Sequence, residues 1–492
     1  MSFDLPFVLP DGWEIKTVEQ LIKDKIIEKP LDGNHGGIHP KSSDYVSKGI
    51  PFVMASDLHS GRVDLSGCKF ITEKQAKTLR KGFAKTGDVL ISHKATIGRT
   101  AIVQQNDYPY IMLTPQVTYY RIIDDEKLSN VYLKSYFDSP FFQSLLALWA
   151  GSGSTRAYLG ITGQLKLPVI VPPIDSQKFI SNNVFTFNEK IELNTQTNQT
   201  LEQIAQAIFK SWFVDFDPVK AKSEALAAGG SADDAELAAM SAISAKTVDE
   251  LNSLKASNPK AFNKLVQTAA LFPAAMQDSE LGEIPEGWEI GTLESHTSMI
   301  IDHRGKTPKK LGSDWVKDGY PAISAKNIKS KKIVRSDTIR FIDEVTYKKW
   351  MKEPLIKGDI IMTSEAPMGE LYFFDGSQNF CLSQRLYGLR ANSEVCSSEF
   401  LFNWLQTTKA QADMEGRASG TTALGIKQAE LRKVKILTPP RELLETYSLV
   451  ASNLVDMAAN NNAQNTVLAD MRDTLLPKLL AGEIDLTREV TA

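Results

Sequence analysis

A seam of mostly apolar residues runs through positions 180, 184, 187, 191, 194, 198, 201, 205, 208 and 212, with steps that alternate four and three. That alternation is the 3.5-residue repeat of a heptad seam, and it predicts a long helix packed against a partner helix. The residues are Ile180, Val184, Phe187, Ile191, Asn194, Asn198, Leu201, Ala205, Ile208 and Trp212. Adding 267 to each gives a second seam: Tyr447, Ala451, Leu454, Ala458, Asn461, Asn465, Leu468, Arg472, Leu475 and Leu479. Both seams carry two Asn and then a Leu at the same steps. A buried amide in a coiled-coil seam costs stability and fixes register and orientation. The matched amides predict that the two helices pair with each other, antiparallel about a pseudo-twofold axis, with the Asn layers near the middle. At 1.5 Å per residue, a helix from Gln177 to Phe213 spans roughly 55 Å. Pro477 is expected to bend or shorten the second helix.

Before each seam the pattern changes to short runs bounded by Gly, Asp and Pro, which read as strands. Val89-Leu90-Ile91 follows Thr86-Gly87-Asp88, and Ile360-Ile361-Met362 follows Lys357-Gly358-Asp359. Val131–Leu148 and Ser398–Met414 have the apolar spacing of helices. These parts are therefore mixed α and β, without a clean alternation of strand and helix. The halves also repeat each other in order. Leu9–Leu21 reads LPDGWEIKTVEQL and Ile284–His296 reads IPEGWEIGTLESH. Gly49-Ile50-Pro51 echoes Gly319-Tyr320-Pro321, Leu159-Gly160-Ile161 echoes Leu424-Gly425-Ile426, and Pro172-Pro173 echoes Pro439-Pro440. A period this long is one whole domain plus one helix, duplicated, rather than a solenoid. The expected fold class is α+β: two mixed α/β domains separated by two long antiparallel coiled-coil helices.

Composition adds limits. At 492 residues a single core is not expected. No apolar run approaches the roughly 20 residues that span a bilayer. The start, MSFDLPFVLPDG, lacks the pattern of a secretion signal. Cys68, Cys381 and Cys396 have no metal-ligand spacing and fit reduced thiols, so a cytoplasmic location is expected. The net charge of −3 conceals an uneven distribution. Thr297–Arg340 holds eleven Lys or Arg and four Asp, net +7; Ser223–Glu283 holds four Lys and nine Asp or Glu, net −5. The basic stretch is the kind of footprint that phosphate attracts. The acidic, Ala-rich connector predicts short helices, with disorder at Gly229-Gly230-Ser231.

No catalytic constellation emerges. Arg304-Gly305-Lys306-Thr307 contains GKT, but a phosphate-binding loop needs Gly at position 300, which is Ile300. Val171-Pro172-Pro173-Ile174 lacks the Asn or Asp of an amino-methyltransferase motif, and no Gly-rich cofactor loop precedes it. His35 and His39 lie in a Gly-rich loop rather than on one helical face, so no metal site is assigned. What remains is loop chemistry suited to contacts. The loop His35-Gly-Gly-Ile-His39-Pro40-Lys41 occupies the place of Arg304-Gly-Lys306-Thr307-Pro308-Lys309 in the second copy. Lys326 lies in the basic stretch, and Lys94 and Arg99 flank a turn. Gln116 and Gln384 stand in comparable strand contexts. Thr155 and Arg156, like Arg417, Thr421 and Thr422, lie in Gly-Ser-Thr loops. Arg and Lys fork onto guanine edges or neutralise phosphates, and Gln can bind adenine bidentately.

The twice-occurring (L/I)P(D/E)GWE segment, IFKSWFVDFDP at Ile208–Pro218, DSELGEIPEGWE at Asp278–Glu289 and LLPKLLAGEI at Leu475–Ile484 resemble the specificity subunit of type I restriction–modification systems. The resemblance covers almost the whole chain. It implies a first target-recognition domain over residues 1–176, a spacer helix over 177–216, a connector over 217–283, a second target-recognition domain over 284–441 and a second spacer helix over 442–484. It implies a non-catalytic subunit that reads a bipartite double-stranded DNA site. It further implies docking of two modification subunits, which carry S-adenosylmethionine and methylate adenine, and of restriction subunits that use ATP and magnesium. No cofactor is expected in this chain itself. The HGGIHP loop departs from RGKTP, so contacts do not transfer from one half to the other. Two readings compete: a self-contained DNA enzyme, for which neither a methyltransferase motif nor a nuclease carboxylate cluster is present in the sequence, and a coiled-coil scaffold joining two proteins without DNA.

Overall fold

The structure is a computed structural model, and it describes residues 9–151, 157–303, 305–420 and 424–481. The chain divides into two compact units, with the divisions after Gln196 and after Asn460.

In the first unit, Glu14–Thr17 pairs antiparallel with Pro168–Val171, so the chain enters and leaves side by side. Between them lies a six-stranded sheet in the order Leu31–Asp32, Val117–Tyr120, Val89–Lys94, Thr96–Ile102, Gly61–Val63, Leu58–His59. A four-stranded sheet runs Lys69–Ile71, Ile50–Val53, Ile111–Leu113, Phe83–Ala84. The helical stretch near residue 140 is broken in two, Asn130–Asp138 and Pro140–Trp149. Ser139 ends the first, and its hydroxyl caps the second by accepting from the Phe142 N–H at 3.2 Å, while Pro140 fits a first helical turn. Tyr132, Tyr136, Phe137 and Phe142 form the centre of a core that also takes in Ile180, Val184, Leu476 and Leu479 from the long helices.

The second unit repeats the plan. Glu289–Thr292 pairs antiparallel with Lys435–Thr438. One sheet runs Thr297–Asp302, Leu386–Ala391, Ile360–Thr363, Leu371–Phe373, and another Arg340–Ile342, Tyr320–Ile323, Cys381–Leu382. Even the parallel pairing recurs, Met112 beside Phe52 and Cys381 beside Ala322. The repeated Gly-Asp turns explain themselves here. Asp88 accepts from Arg121 Nε at 2.9 Å and NH2 at 2.7 Å; Asp359 accepts from Arg390 Nε at 2.9 Å and NH2 at 2.8 Å. Each carboxylate also takes a backbone N–H, from Lys85 and Ile356 respectively. The carboxylates hold Arg121 and Arg390 above the usual arginine value. Burial pushes the Asp88 carboxyl up, against the opposing pull of Arg121. The SWFVDFDP and GWE segments meet in one core, where Trp288 lies 6.0 Å from Phe213 and 5.8 Å from Phe216.

The long helices are Ile174–Phe213 and Arg441–Leu480, 40 residues each. Every seam position named above is buried or half-buried. In the first unit Asn194, 3% exposed, donates to Gln464 at 2.7 Å and Asn465 at 2.9 Å, and Arg472 donates to Asn188 at 2.9 Å. In the second, Asn198 donates to the Ala458 carbonyl at 3.2 Å, and the Phe209 and Tyr447 rings lie 5.9 Å apart. In each unit rising numbers on one helix meet falling numbers on the other, so the pairing is antiparallel. Pro477 does not stop the second helix, which continues to Leu480. It sits in the final turn, where the Ala481 N–H still reaches its carbonyl at 2.9 Å and only one N–H is forfeited near an end.

The connector forms helices at Asp217–Ala227, Ala232–Ser244, Val248–Ser257 and Pro259–Ala270 around Ala239, Met240, Leu251, Phe262 and Ala269. The expected disorder at its glycines is replaced by a defined turn. Gly229 takes φ +86°, the Gly230 N–H closes on the Ala225 carbonyl at 3.0 Å, and Ser231 caps the next helix. Among the described residues no helix is long and apolar enough to cross a membrane.

Candidate nucleic-acid interface

The second unit brings four of the predicted contact residues together. Lys306, Thr307, Lys326 and Gln384 line one cleft of about 330 Å³, with Trp315, Arg340 and Arg385 beside them. The loop after Thr297–Asp302 turns at Gly305, φ +85°, which presents Lys306. The Lys306 ammonium donates to the Trp350 carbonyl at 2.8 Å; burial, with Lys352 nearby, lowers its pKa. His303, just upstream, is pushed down to about 4 by burial, helped by Lys306. Lys326 rides on the turn Ala325–Asn327. The buried Asn327 side chain fixes that turn, accepting from the Ser324 N–H at 3.0 Å and donating to the Val334 and Arg335 carbonyls. Gln384 and Arg385 fill the short link between Cys381–Leu382 and Leu386–Ala391. Arg385 takes φ +69° and pairs with Glu365 at 2.7 Å. Arg340, at the end of the basic run, stacks its guanidinium 3.8 Å from the Trp315 ring centre. Sequence reasoning missed Trp315, Arg340 and Arg385. Only the basic run containing the first two pointed towards them.

Arg417 is absent from the cleft lining and pairs with Asp413 at 2.9 Å. Arg304, Thr421 and Thr422, and in the first unit Thr155 and Arg156, lie outside the described residues.

The first unit spreads its candidates over separate loops. His35 Nε2 meets Asp32 at 2.7 Å, and Lys81 pairs with the same carboxylate. Burial pushes Asp32 up, but the hydrogen bonds from Lys81 and His35 bring it below its ordinary value. The neighbouring His93, bonded to Thr118 at 2.8 Å, is driven down to about 4 by burial. His39 is half-buried against the Phe52 ring at 5.5 Å, while Lys41 is exposed. Lys94 lies 5.9 Å from the Tyr158 ring and Arg99 donates to the Ala55 carbonyl at 3.1 Å, on the two strands joined at Ala95. The Gln116 carbonyl accepts from the His93 N–H at 2.9 Å. Gln116 and Gln384 lie in turns rather than strands, and they are one position out of step. Val117 pairs with Ser92 as Leu386 pairs with Thr363, which sets Gln116 opposite Arg385. By the same registers Ser56 stands where Lys326 does, and Lys69 where Arg340 does.

The two units thus carry one fold with different surface chemistry: Ser56 and Gln116 of the first stand where Lys326 and Arg385 do in the second, while Lys69 keeps a cation at the place of Arg340. Among the described residues no group of His, Cys, Asp and Glu is placed to hold a metal ion. The family profile of the type I restriction modification DNA specificity domain matches residues 10–203 and 285–443. The chain belongs to that family. The HindI specificity subunit of Haemophilus influenzae is 30% identical over 432 residues, 85% of this chain and 91% of that protein. The MjaIX specificity subunit of Methanocaldococcus jannaschii is 23% identical over 481 residues, 97% of this chain and 94% of that protein. The crystal structure of a type I restriction–modification S subunit from M. genitalium shares the fold at TM-score 0.50 and 12% identity, covering 97% of this chain and 98% of that one. A specificity subunit is a non-catalytic component that recognises the DNA target and works with other subunits of its restriction–modification system. The resemblance seen in the sequence and its two-domain α+β fold are thereby established.

Proposed function

We propose that this specificity subunit reads a bipartite DNA site, one half with each unit, and that the paired helices set the gap between the halves. The observation carrying this reading is the duplication of one fold with unlike side chains at equivalent places: Ser56 and Gln116 in one copy, Lys326 and Arg385 in the other. Identical readers would favour a symmetric site; unlike readers favour two different half-sites. The chain brings no reactive group of its own to the DNA. Two modification subunits dock on it, bring S-adenosylmethionine and methylate adenine, and restriction subunits bring ATP and magnesium. The test is to exchange residues 9 to 170 for the same span of a related subunit and to map methylated adenines in cells that express it with its partners. One half of the methylated motif changes and the other stays. A change in both halves with folding intact defeats independent reading. Assembly without any salt-dependent DNA binding returns the scaffold reading.

A further inference from the structure

The cleft of the second unit is a recess, and its shape selects what enters it. A base edge lies at the floor of a groove and is reached by a projecting side chain. A phosphodiester stands proud of the duplex and can enter a hollow. The walls of this hollow carry Lys306, Lys326, Arg340 and Arg385. Of these, Lys326 and Arg340 have no carboxylate partner among the described residues, and Arg340 is held flat against Trp315 at 3.8 Å. Stacking fixes the guanidinium plane while leaving its N–H edge free to donate, which suits a tetrahedral anion. The Lys306 ammonium is anchored on the Trp350 carbonyl at 2.8 Å and adds charge at the same wall. We propose that this cleft seats one backbone phosphate of the half-site bound by the second unit, with Arg340 and Lys326 as its principal donors. The proposal rests on the DNA-recognition reading above and narrows it: residues that looked like base readers in the sequence position the duplex instead. It also makes the units unequal. The first unit has Ser56 in the place of Lys326 and Gln116 in the place of Arg385, so it lacks two cations of this seat.

The experiment uses the specificity subunit assembled with its modification subunits, on duplexes in which single phosphates of the target are replaced by neutral methylphosphonates. The parent complex loses affinity sharply at one phosphate in the half-site of the second unit. Arg340→Ala weakens binding about tenfold on target and non-target duplexes alike, and the slope of log affinity against log salt becomes shallower by about one. In that variant the methylphosphonate at the same position costs clearly less than in the parent, because only Lys326 and Lys306 still face it, and Arg340→Lys recovers part of the salt slope. The methylated motif stays unchanged in both variants. A motif relaxed at one base pair, or an undiminished methylphosphonate effect in Arg340→Ala, overturns the proposal and makes Arg340 a base reader or a bystander. Thermal unfolding of Arg340→Lys and Lys326→Ala, which keep the Trp315 wall intact, separates loss of contact from loss of fold. A parent complex that methylates no specific sequence would instead sink the recognition reading itself.

Discussion

The duplicated arginine–aspartate pair offers an experiment that contains its own control. Arg121→Met keeps most of the aliphatic stem but removes both charged hydrogen bonds to Asp88, the donation to the Phe83 carbonyl and the pair with Glu28 at 3.1 Å. Asp88, 2% exposed, then keeps only the Lys85 N–H. Stranding one partner of a buried ion pair costs about 3–5 kcal/mol, whereas the half-exposed Glu28 contact contributes about 0–1 kcal/mol. Arg390→Met does the same to Asp359, 1% exposed, with Glu353 near the guanidinium but, among the described residues, not in an ion pair with it as Glu28 is with Arg121. Both variants are therefore expected to lose about 3–5 kcal/mol, each in its own unit. Pairing each with the matching Asp→Asn recovers part of the loss, because a neutral amide needs no counter-charge. The two units need not unfold together, so urea-dependent hydrogen exchange read peptide by peptide is the suitable assay. Arg121→Met should open peptides within 14–171 and spare 289–438; Arg390→Met should do the reverse. The first loss should shrink on acidification. Burial already pushes Asp88 up, and without Arg121 nothing comparable opposes it. A carboxyl raised in the folded state binds its proton more tightly there, so stability is gained at low pH and lost as pH rises. A loss below about 1 kcal/mol in both variants, or equal opening of both units by either, would refute the reasoning.

Two further outcomes follow from other parts of the fold. Four residues inserted after Gln196 and four after Asn460 lengthen both helices by roughly 6 Å and keep Asn194 matched with Asn465; adenine-methylation mapping should show unchanged half-sites whose gap has grown by one or two base pairs. An active variant with the parent's spacing would mean that the helices are not the ruler. His93 is depressed to about 4 by burial, against 6.5 for an ordinary histidine. A depressed histidine contributes stability that is complete above pH 6.5 and lost as pH falls towards 4, up to about 3 kcal/mol. His93→Gln should therefore flatten the acid side of the first unit's urea midpoint between those pH values, and an unaltered slope would count against it.

The helices were legible because their signal is local. A 3.5-residue period with Asn at matching steps needs no knowledge of the sheets. The strands after Gly87-Asp88 and Gly358-Asp359 were legible for a similar reason, since turn residues bound short apolar runs. Sheet order was not, because Leu31–Asp32 pairs with Val117–Tyr120 across more than eighty intervening residues that carry no pairing code. Gln116 and Gln384 looked equivalent since both follow short apolar runs; only the registers at Val117 and Leu386 show that Arg385 holds that place. Arg340 was hidden for a different reason. Its significance depends on stacking against Trp315 across the edge of a sheet, and one basic residue among eleven cannot announce that.

The strand pairs that close each unit bear on how such a protein can evolve. Glu14–Thr17 lies against Pro168–Val171, and Glu289–Thr292 against Lys435–Thr438, through backbone hydrogen bonds that place few demands on side chains. A genetic crossover within each of two such strands replaces everything between them and rejoins the chain where it already ran side by side. The helices and their amide layers are inherited intact. If each unit reads its own half-site as proposed, a lineage acquires a new target in one recombination event, where point mutation would have to rebuild a reading surface contact by contact while the old one was still in use.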